Sequence, residues 1–222
     1  MDLIRNKLFK NVEQDIVNLI EDNAILKKCL IKEEIYSQNM QENRDLHIIK
    51  SGVLVISKID FHGFDRFLYL KKTNDIFGAV SLIDNGPRIG KTVALSNCEY
   101  WTINNSFIKK YLLNNSAFTL NLMNIFIDEI RQFHFYRSQV SGRSAQKKIL
   151  FYLLDLVDIS DNGTIGVIHK YINQSILSGF TGLARETISR EINKLKKMNV
   201  ITTENKDKIE LDIKRCKDLL KK

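Results

Sequence analysis

Proline, glycine and long apolar runs are scarce in this 222-residue chain. It contains one proline, Pro87, and 10 glycines, which excludes collagen-like and proline-rich architectures. No run reaches the roughly 18 consecutive apolar residues that a membrane helix requires. The N-terminal stretch MDLIRNKLFKNVEQDI lacks the unbroken apolar core of a signal peptide. These absences predict a soluble, cytoplasmic protein that has no membrane partner.

Cysteine is also sparse. The chain has three, Cys29, Cys98 and Cys216, at wide spacing and without a CxxC pair. This excludes a zinc knuckle or a redox dithiol of the CxxC type, and a four-cysteine iron–sulfur site cannot be built within one chain. We therefore expect three buried, small apolar side chains, and neither a metal nor a cofactor.

Signatures of catalysis are missing. The sequence contains no GxGxxG, GxxxxGK[ST], HExxH or GxSxG motif, so we expect no catalytic residues and no enzyme activity. The histidines are scattered, and none is singled out as a haem ligand: His47, His62, His134 and His169.

Positive charge is concentrated towards the C-terminus. The whole chain has 34 basic and 26 acidic residues, a net charge of +8, and the segment Arg143–Lys222 alone has 16 basic and 10 acidic residues. A basic segment of this kind favours a polyanionic partner, nucleic acid first. The alternative is a solvated, lysine-rich surface.

The apolar pattern changes along the chain. Residues Leu3–Leu30 predict short helices, and from Ile31 to Ile103 short apolar runs alternate with turn residues, which predicts an antiparallel sandwich or roll. The 27 residues Asn115–Ser141 contain neither proline nor glycine and predict one helix about 40 Å long.

The long helix has two apolar rows. One row, Phe118, Leu122 and Ile125, can pack on the β-roll. The other has the spacing of a coiled-coil seam and predicts a homodimer interface formed by Met123, Phe126, Ile130, Phe133 and Val140. The alternative is that both rows are buried within one subunit.

The segment Tyr171–Met198 predicts a helix-turn-helix. Asn173 is a plausible N-cap, and Gly182 falls where a tight turn would join two helices. Before this segment, the sequence predicts a hinge at Gly142 and a helix over Ala145–Val157. Two short strands around the turn Asn205–Asp207 would then form a wing.

Polar residues on the outer face of the second helix suit a DNA major groove, where arginine can donate to guanine and glutamate can accept from cytosine. The alternative is a solvated face with a Glu186–Arg190 ion pair. The outward residues are Arg185, Glu186, Ser189, Arg190, Asn193, Lys194 and Lys197.

The segment GLARETISREINKLKKMNVI resembles the recognition helix and following strand of the CRP/FNR family of bacterial transcription regulators. The phrases HIIKSGVLVISK and NDIFGAVSLIDNGPR resemble two parts of that family's β-roll. The resemblance implies an α+β fold: an N-terminal antiparallel, cyclic-nucleotide-binding-like β-roll, a long dimerisation helix and a C-terminal winged helix-turn-helix. The implied domains are residues 1–114, 115–141 and 142–222.

The resemblance also implies partners and DNA-reading residues. Arg185, Glu186 and Arg190 match the residues with which the family reads DNA. The chain fulfils both the cAMP receptor type of signature, R-E-T-x-x-R, and the FNR type, E-x-x-S-R, which Ser189 completes. The expected partners are a palindromic operator in double-stranded DNA, a second copy of the chain and RNA polymerase. The alternative is an effector-sensing protein whose winged helix contacts proteins. The full set of expected DNA-binding residues is Asn173, Arg185, Glu186, Ser189, Arg190, Lys194 and Lys197.

The β-roll departs from the family's cyclic-nucleotide site. We call the segment NDIFGAVSLIDNGPR the cassette. In members that bind a cyclic nucleotide, a glutamate after the cassette glycine holds the ribose, but here Gly78 is followed by Ala79-Val80-Ser81. Arg88 stands where the family's phosphate-binding arginine does, yet Ile89 replaces the hydroxyl residue beside it. We therefore expect no control by cyclic nucleotides, an unknown small-molecule effector if any, and Arg88 as a surface turn residue.

Overall fold

The computed structural model describes residues 3–61, 63, 65–159, 163–169, 172–204 and 208–221. The chain divides into two compact units, Met1–Arg131 and Gln132–Lys222. The expected turn Asn205–Asp207, Tyr171 at the start of the helix-turn-helix segment, and His62 lie outside the described residues. No helix in the described part of the chain is both long enough and apolar enough to span a membrane.

The first unit contains a β-roll of two four-stranded sheets. Its strands are β1 (Ile25–Cys29), β2 (Glu34–Tyr36), β3 (Leu46–Ser51), β4 (Leu54–Ile59), β5 (Asp65–Lys71), β6 (Ile76–Phe77), β7 (Lys91–Ala94) and β8 (Cys98–Ile103). They pair antiparallel in the orders β1-β8-β3-β6 and β2-β7-β4-β5. The antiparallel roll predicted from the short apolar runs is therefore confirmed. The prediction of helix up to Leu30 is wrong, because Ile25–Cys29 pairs with β8 as an edge strand.

In the described part of the chain, four α-helices belong to the β-roll unit or begin in it: α1 (Gln14–Asn23), α2 (Ala79–Asp84), α3 (Asn105–Phe107) and α4 (Ser116–Val140). Two short 3-10 helices, Leu3–Arg5 and Lys7–Phe9, precede α1, and a π-helical turn, Ile108–Leu112, follows α3. The long helix predicted over Asn115–Ser141 is α4. Its row Phe118, Leu122 and Ile125 is buried in the core of the first unit. These side chains pack among strand residues such as Ile48, so helix and sheet share one apolar core.

The second unit combines four helices with a small antiparallel sheet. The elements are α5 (Ala145–Asp155), β9 (Asp158–Ile159), β10 (Ile165–His169), α6 (Gln174–Thr181), α7 (Arg185–Lys197), β11 (Ile201–Glu204), β12 (Lys208–Asp212) and α8 (Ile213–Lys221). The strand order is β11-β12-β10-β9, and β11 and β12 are the two strands of the expected wing.

A glycine and a cap separate α4 from α5. Gly142 has φ +69°, which a residue with a side chain rarely adopts, and α4 ends two residues before it. Ser144 then caps α5 by accepting a hydrogen bond from the backbone N–H of Lys147. The predicted hinge therefore coincides with a break between two helices.

Candidate nucleic-acid interface and sensor cavity

The helix-turn-helix begins at an asparagine cap and turns at a glycine. The side chain of Asn173 accepts hydrogen bonds from the backbone N–H groups of Ser175 and Ile176, at 2.9 and 3.1 Å. Gly182 closes α6 with φ +70°. Both features were predicted from the sequence, and together they fix where α6 starts and where the chain turns towards α7.

Side-chain hydrogen bonds hold the turn between α6 and α7. The hydroxyl of Ser178 donates to the carbonyl of Leu183 at 2.6 Å. Thr181 donates to the carbonyl of Leu177 at 2.7 Å and accepts from the N–H of Leu183 at 3.3 Å. Because these bonds satisfy backbone groups that a turn would leave unpaired, they define the direction in which α7 leaves the turn.

One face of α7 is anchored in the core of the second unit. Ile188 and Leu195 are fully buried and Ile192 is nearly so, at the spacing of a single helical face. The opposite face is therefore presented to solvent. On it Arg185, Glu186, Arg190, Asn193, Lys194 and Lys197 are exposed and Ser189 is half-buried.

Neighbouring groups hold several of these polar side chains. Arg185 donates from Nη2 to the hydroxyl of Ser175 on α6, at 3.0 Å. Glu191, which is 6% exposed, lies 2.8 Å from Nζ of Lys194 and 3.6 Å from Nε of Arg190. In the part of the chain that the structure describes, Arg190 thus pairs with its sequence neighbour and not with Glu186.

The C-terminal end of α7 is tied to α8. Arg215 donates from Nη1 to the carbonyls of Met198 and Asn199, at 3.2 and 3.4 Å. The last carbonyls of a helix lack partners within that helix, so the guanidinium closes the end of α7. This contact positions the helix together with the wing that follows it.

The β-roll contains a small cavity of about 50 Å³. It lies between the roll and α4, within the first unit. Its lining includes aromatic and aliphatic side chains and five polar or charged residues: Lys71, Ser81, Arg88, Thr92 and Glu129.

Arg88 in this cavity is not the surface turn residue expected from the sequence. It is 3% exposed and donates to the carbonyls of Gly78 and Asp45, at 2.8 and 2.9 Å. Its guanidinium also lies over the ring of Tyr36, with Cζ 4.0 Å from the ring centroid. Burial lowers the pKa of Arg88 to about 10, while the charge of Asp45 acts in the opposite direction. Arg88 is therefore a charged internal cross-link of the roll.

Glycine at position 78 makes this cross-link possible. Gly78 has φ +83°, and a Cβ there would collide with the guanidinium of Arg88 and lie 2.7 Å from the carbonyl oxygen of Asp45. The cassette glycine thus admits the arginine, which then spans from Gly78 to Asp45.

An ion pair closes another side of the cavity. Nζ of Lys71 on β5 lies 2.5 Å from Oε1 of Glu129 on α4, and Lys71 is 8% exposed. The ammonium also lies 5.2 Å from the centroid of the Tyr69 ring. The Lys71–Glu129 pair joins the sheet to the long helix inside the first unit.

The residues expected at the dimer interface fall into two groups. Met123, Ile130 and Phe133 are 55%, 57% and 54% exposed, whereas Phe126 and Val140 are half-buried, and Phe126 lines the cavity. Two further apolar residues extend the exposed surface. We call this set the α4 apolar face: Leu120, Met123, Ile127, Ile130 and Phe133.

Sequence reasoning missed three features of these sites. The burial of Glu191 was signalled by its helical spacing, because it lies three residues after Ile188 and four before Leu195. The Lys71–Glu129 pair and the burial of Arg88 depend on contacts between residues far apart in the chain, for which the sequence offers no local signal.

Comparison with known proteins matches both units. Residues 27–115 match the family described as cyclic nucleotide-binding domain, and residues 147–220 match the Crp-like helix-turn-helix domain. The Anaerobic regulatory protein of Bacillus subtilis is 25% identical over 214 residues, covering 92% of this chain and 88% of that protein. The Cyclic AMP receptor protein of Thermus thermophilus is 25% identical over 159 residues, covering 70% of each.

A solved structure agrees over almost the whole chain. A protein from Eubacterium rectale, described as a transcriptional regulator of the CRP/FNR family, superposes with a TM-score of 0.77 at 19% identity. The match covers 97% of this chain and 98% of that one. At this identity, the likeness establishes the fold.

Proposed function

This chain belongs to the CRP/FNR family of transcription regulators, and on that premise we propose that it binds an inverted-repeat DNA site as a homodimer. Each subunit would place α7 in the major groove of one half-site. The observation that carries the proposal is the outward face of α7, where Arg185, Glu186 and Arg190 are all exposed above a buried apolar row.

The chemistry of this face suits base recognition. An arginine can donate two hydrogen bonds to O6 and N7 of guanine, and a glutamate can accept one from N4 of cytosine. Glu186 and Arg190 lie one helical turn apart, so both can reach adjacent base pairs. Lys194 and Lys197 lie further along α7, where we expect phosphate contacts that position the helix without reading sequence.

Asn173 has a structural role that restricts its contact with DNA. Its side-chain oxygen is already used by the cap of α6, so only its amide NH₂ group remains to donate to a phosphate. Ser189 is half-buried and has a short side chain, so we expect it to contact DNA only where α7 lies closest to the groove, beside Arg190.

The α4 apolar face supports the homodimer. Its five large side chains are each at least 44% exposed, and burying such a side chain is worth about 1.5–3 kcal/mol. A second copy of the same helix supplies a complementary apolar surface. Two-fold symmetry of the protein then matches two-fold symmetry of the operator.

Other parts of the proposed role follow from DNA binding. A regulator of this kind acts in the bacterial cytoplasm, has no catalytic residues and communicates with RNA polymerase. The small cavity and the bonds from Arg88 to the backbone of the roll support the further proposal that cyclic nucleotides are not its effectors.

DNA selection followed by titration tests the proposal. Duplexes enriched from a random-sequence pool should contain an inverted repeat with half-sites about 34–36 Å apart. Fluorescence anisotropy should then show tighter binding to the full site than to one half-site or a scrambled duplex. Affinity should fall steeply with salt, because bound lysines and arginines release counterions from the phosphates.

A charge-matched variant provides the control. Lys214→Ala with Lys217→Ala removes two positive charges from exposed positions of α8 and should leave selection of the site unchanged. Arg185→Ala with Arg190→Ala removes two from α7 and should abolish it. If no sequence is enriched and binding is insensitive to salt, the alternative that the winged helix contacts proteins is favoured instead.

A further inference from the structure

Two of the three cysteines lie opposite each other on adjacent strands of one sheet of the β-roll. In the antiparallel pairing of β1 with β8, Cys29 lies directly opposite Cys98, and their exposed fractions are 4% and 3%. Directly opposed residues have Cα atoms about 4.5 or 5.5 Å apart in such a ladder, and both spacings fall within the range that a disulfide accepts.

The surroundings of Cys98 hold its sulfur in place. Sγ contacts the carbonyl oxygens of Ser96 and Val53, at 3.1 and 3.4 Å. Gly52, with φ +96°, leaves the space that Sγ occupies, since a Cβ there would lie 2.5 Å from the sulfur. Cys29 stands directly opposite on the adjacent strand, so its side chain lies on the same face of the sheet, beside that of Cys98.

A metal site is disfavoured at this pair. Among the described residues, no group of three or more His, Cys, Asp or Glu side chains could hold an ion, and two thiolates alone leave a tetrahedral zinc site incomplete. Cys216 lies on α8, in the other unit. The chemistry that remains for two opposed thiols is the formation of a bond between them.

We propose that Cys29 and Cys98 form a reversible disulfide when the protein is exposed to a peroxide. One thiolate attacks a peroxide oxygen and the O–O bond breaks, which gives a sulfenic acid and one water. The opposed sulfur then attacks the sulfenic sulfur and displaces the hydroxyl as a second water. Overall, two thiols and hydrogen peroxide give one disulfide and two waters, and two electrons pass from sulfur to oxygen.

The position of β1 sets the speed of this reaction. Burial raises the pKa of the Cys29 thiol to about 12, and the charges of Cys98 and Glu33 act in the same direction. Because the thiolate is the reactive form, attack is slow while β1 stays paired. β1 is an edge strand, so fraying from β8 would admit the oxidant, and renewed pairing would return Cys29 to its place opposite Cys98. The bond would fix this edge of the sheet.

Mass spectrometry of the full-length protein tests the site. The reduced protein is treated with hydrogen peroxide for increasing times, quenched with catalase, denatured and alkylated with N-ethylmaleimide. We expect three alkylated cysteines before treatment and one after, with the other two restored by dithiothreitol. Peptide mapping should find Cys29 linked to Cys98 within one chain.

Single variants separate this bond from other oxidations. Cys216→Ser should still lose two alkylation sites, whereas Cys29→Ser should form no intramolecular disulfide. The proposal is overturned if all three thiols remain alkylated after prolonged treatment. It is also overturned if the linked peptides contain Cys216, or if the wild type gains only sulfinic acid that dithiothreitol does not reverse.

Discussion

Arg190 and Lys197 both project from the exposed face of α7, two helical turns apart, yet they should serve different purposes. Arg190→Ala should lower affinity for the cognate site by about 1–3 kcal/mol, towards the non-specific level, because a base contact is lost. Lys197→Ala should weaken cognate and scrambled duplexes about equally and reduce the salt dependence by roughly one charge. Anisotropy titrations with both duplexes at several salt concentrations measure these affinities. If Arg190→Ala weakens binding to the cognate and the scrambled duplex equally, Arg190 contacts the DNA backbone and not a base.

Glu191 is a buried carboxylate that holds the side chains of Arg190 and Lys194. Glu191→Gln keeps its size and removes its charge, so Arg190 loses its orientation and the phosphates lose a repulsive neighbour. We expect non-specific affinity to rise and discrimination between cognate and scrambled duplexes to fall by about 0.5–1.5 kcal/mol, the cost of ordering a long side chain. Glu210→Gln breaks the Lys208–Glu210 pair on the wing strand and serves as the control. Unchanged discrimination in Glu191→Gln would show that Arg190 needs no such support.

We predict that His47 makes the stability of the β-roll depend on pH. Burial first, and then the charges of Arg88 and Lys27, lower the pKa of His47 well below its usual value of about 6.5. The unfolded chain therefore takes up a proton as pH falls below 6.5 while the folded chain does not. Stability is fully present above that pH and is lost below it, by up to about 1.4 kcal/mol per pH unit.

Urea unfolding between pH 8 and pH 5 measures this loss. The single tryptophan, Trp101, lies on β8 and reports on the β-roll by its fluorescence. His47→Gln should flatten the pH dependence, whereas His134→Gln, at an exposed position of α4, should preserve it. A slope that persists in His47→Gln would assign the effect to another group.

At the scale of the element, α4 has one apolar row in the core of the first unit and an exposed apolar face for which we propose a role in dimerisation. Ile130 is 57% exposed on the α4 apolar face, and Ile130→Asp should convert the dimer into a monomer because an unpaired carboxylate cannot be buried cheaply. Asn124→Asp adds the same charge at an exposed position outside that face and should leave the dimer intact. Sedimentation velocity at micromolar concentration distinguishes the two, and a monomeric wild type would contradict the homodimer itself.

Local signals in the sequence were sufficient for several elements. An absence of proline and glycine predicted α4, and an asparagine and a glycine at suitable positions predicted both ends of α6, because caps and breaks act within a few residues. β1 was missed since the stretch up to Leu30 gives mixed apolar spacing, and its extended form comes from pairing with β8. The sequence did not predict that Cys29 and Cys98 lie opposite each other, because strand register depends on contacts between residues far apart in the chain.

At the scale of the whole molecule, the order of elements along the sequence was sufficient to predict the fold. The cavity of the β-roll could be described only from the structure. The sequence alone showed the missing carboxylate after Gly78 and the presence of Ile89. It could not show that Arg88 turns inward to bond Gly78 and Asp45, because that geometry depends on how the cassette packs against β3. The expectation about cyclic nucleotides therefore gains a second, independent argument from the structure.

Neither cAMP nor cGMP should bind this protein at micromolar concentration. The cavity of about 50 Å³ is far below the roughly 300–1,000 Å³ of typical small-molecule pockets. A nucleotide would have to separate Lys71 from Glu129 and compete with the carbonyls that hold Arg88. Each polar group of the ligand left unpaired would cost about 1–3 kcal/mol more. Isothermal titration calorimetry measures the affinity for both nucleotides, with the Cyclic AMP receptor protein of Thermus thermophilus as a comparison protein. Micromolar binding of either nucleotide would contradict this prediction and show that the cavity can expand to admit a ligand.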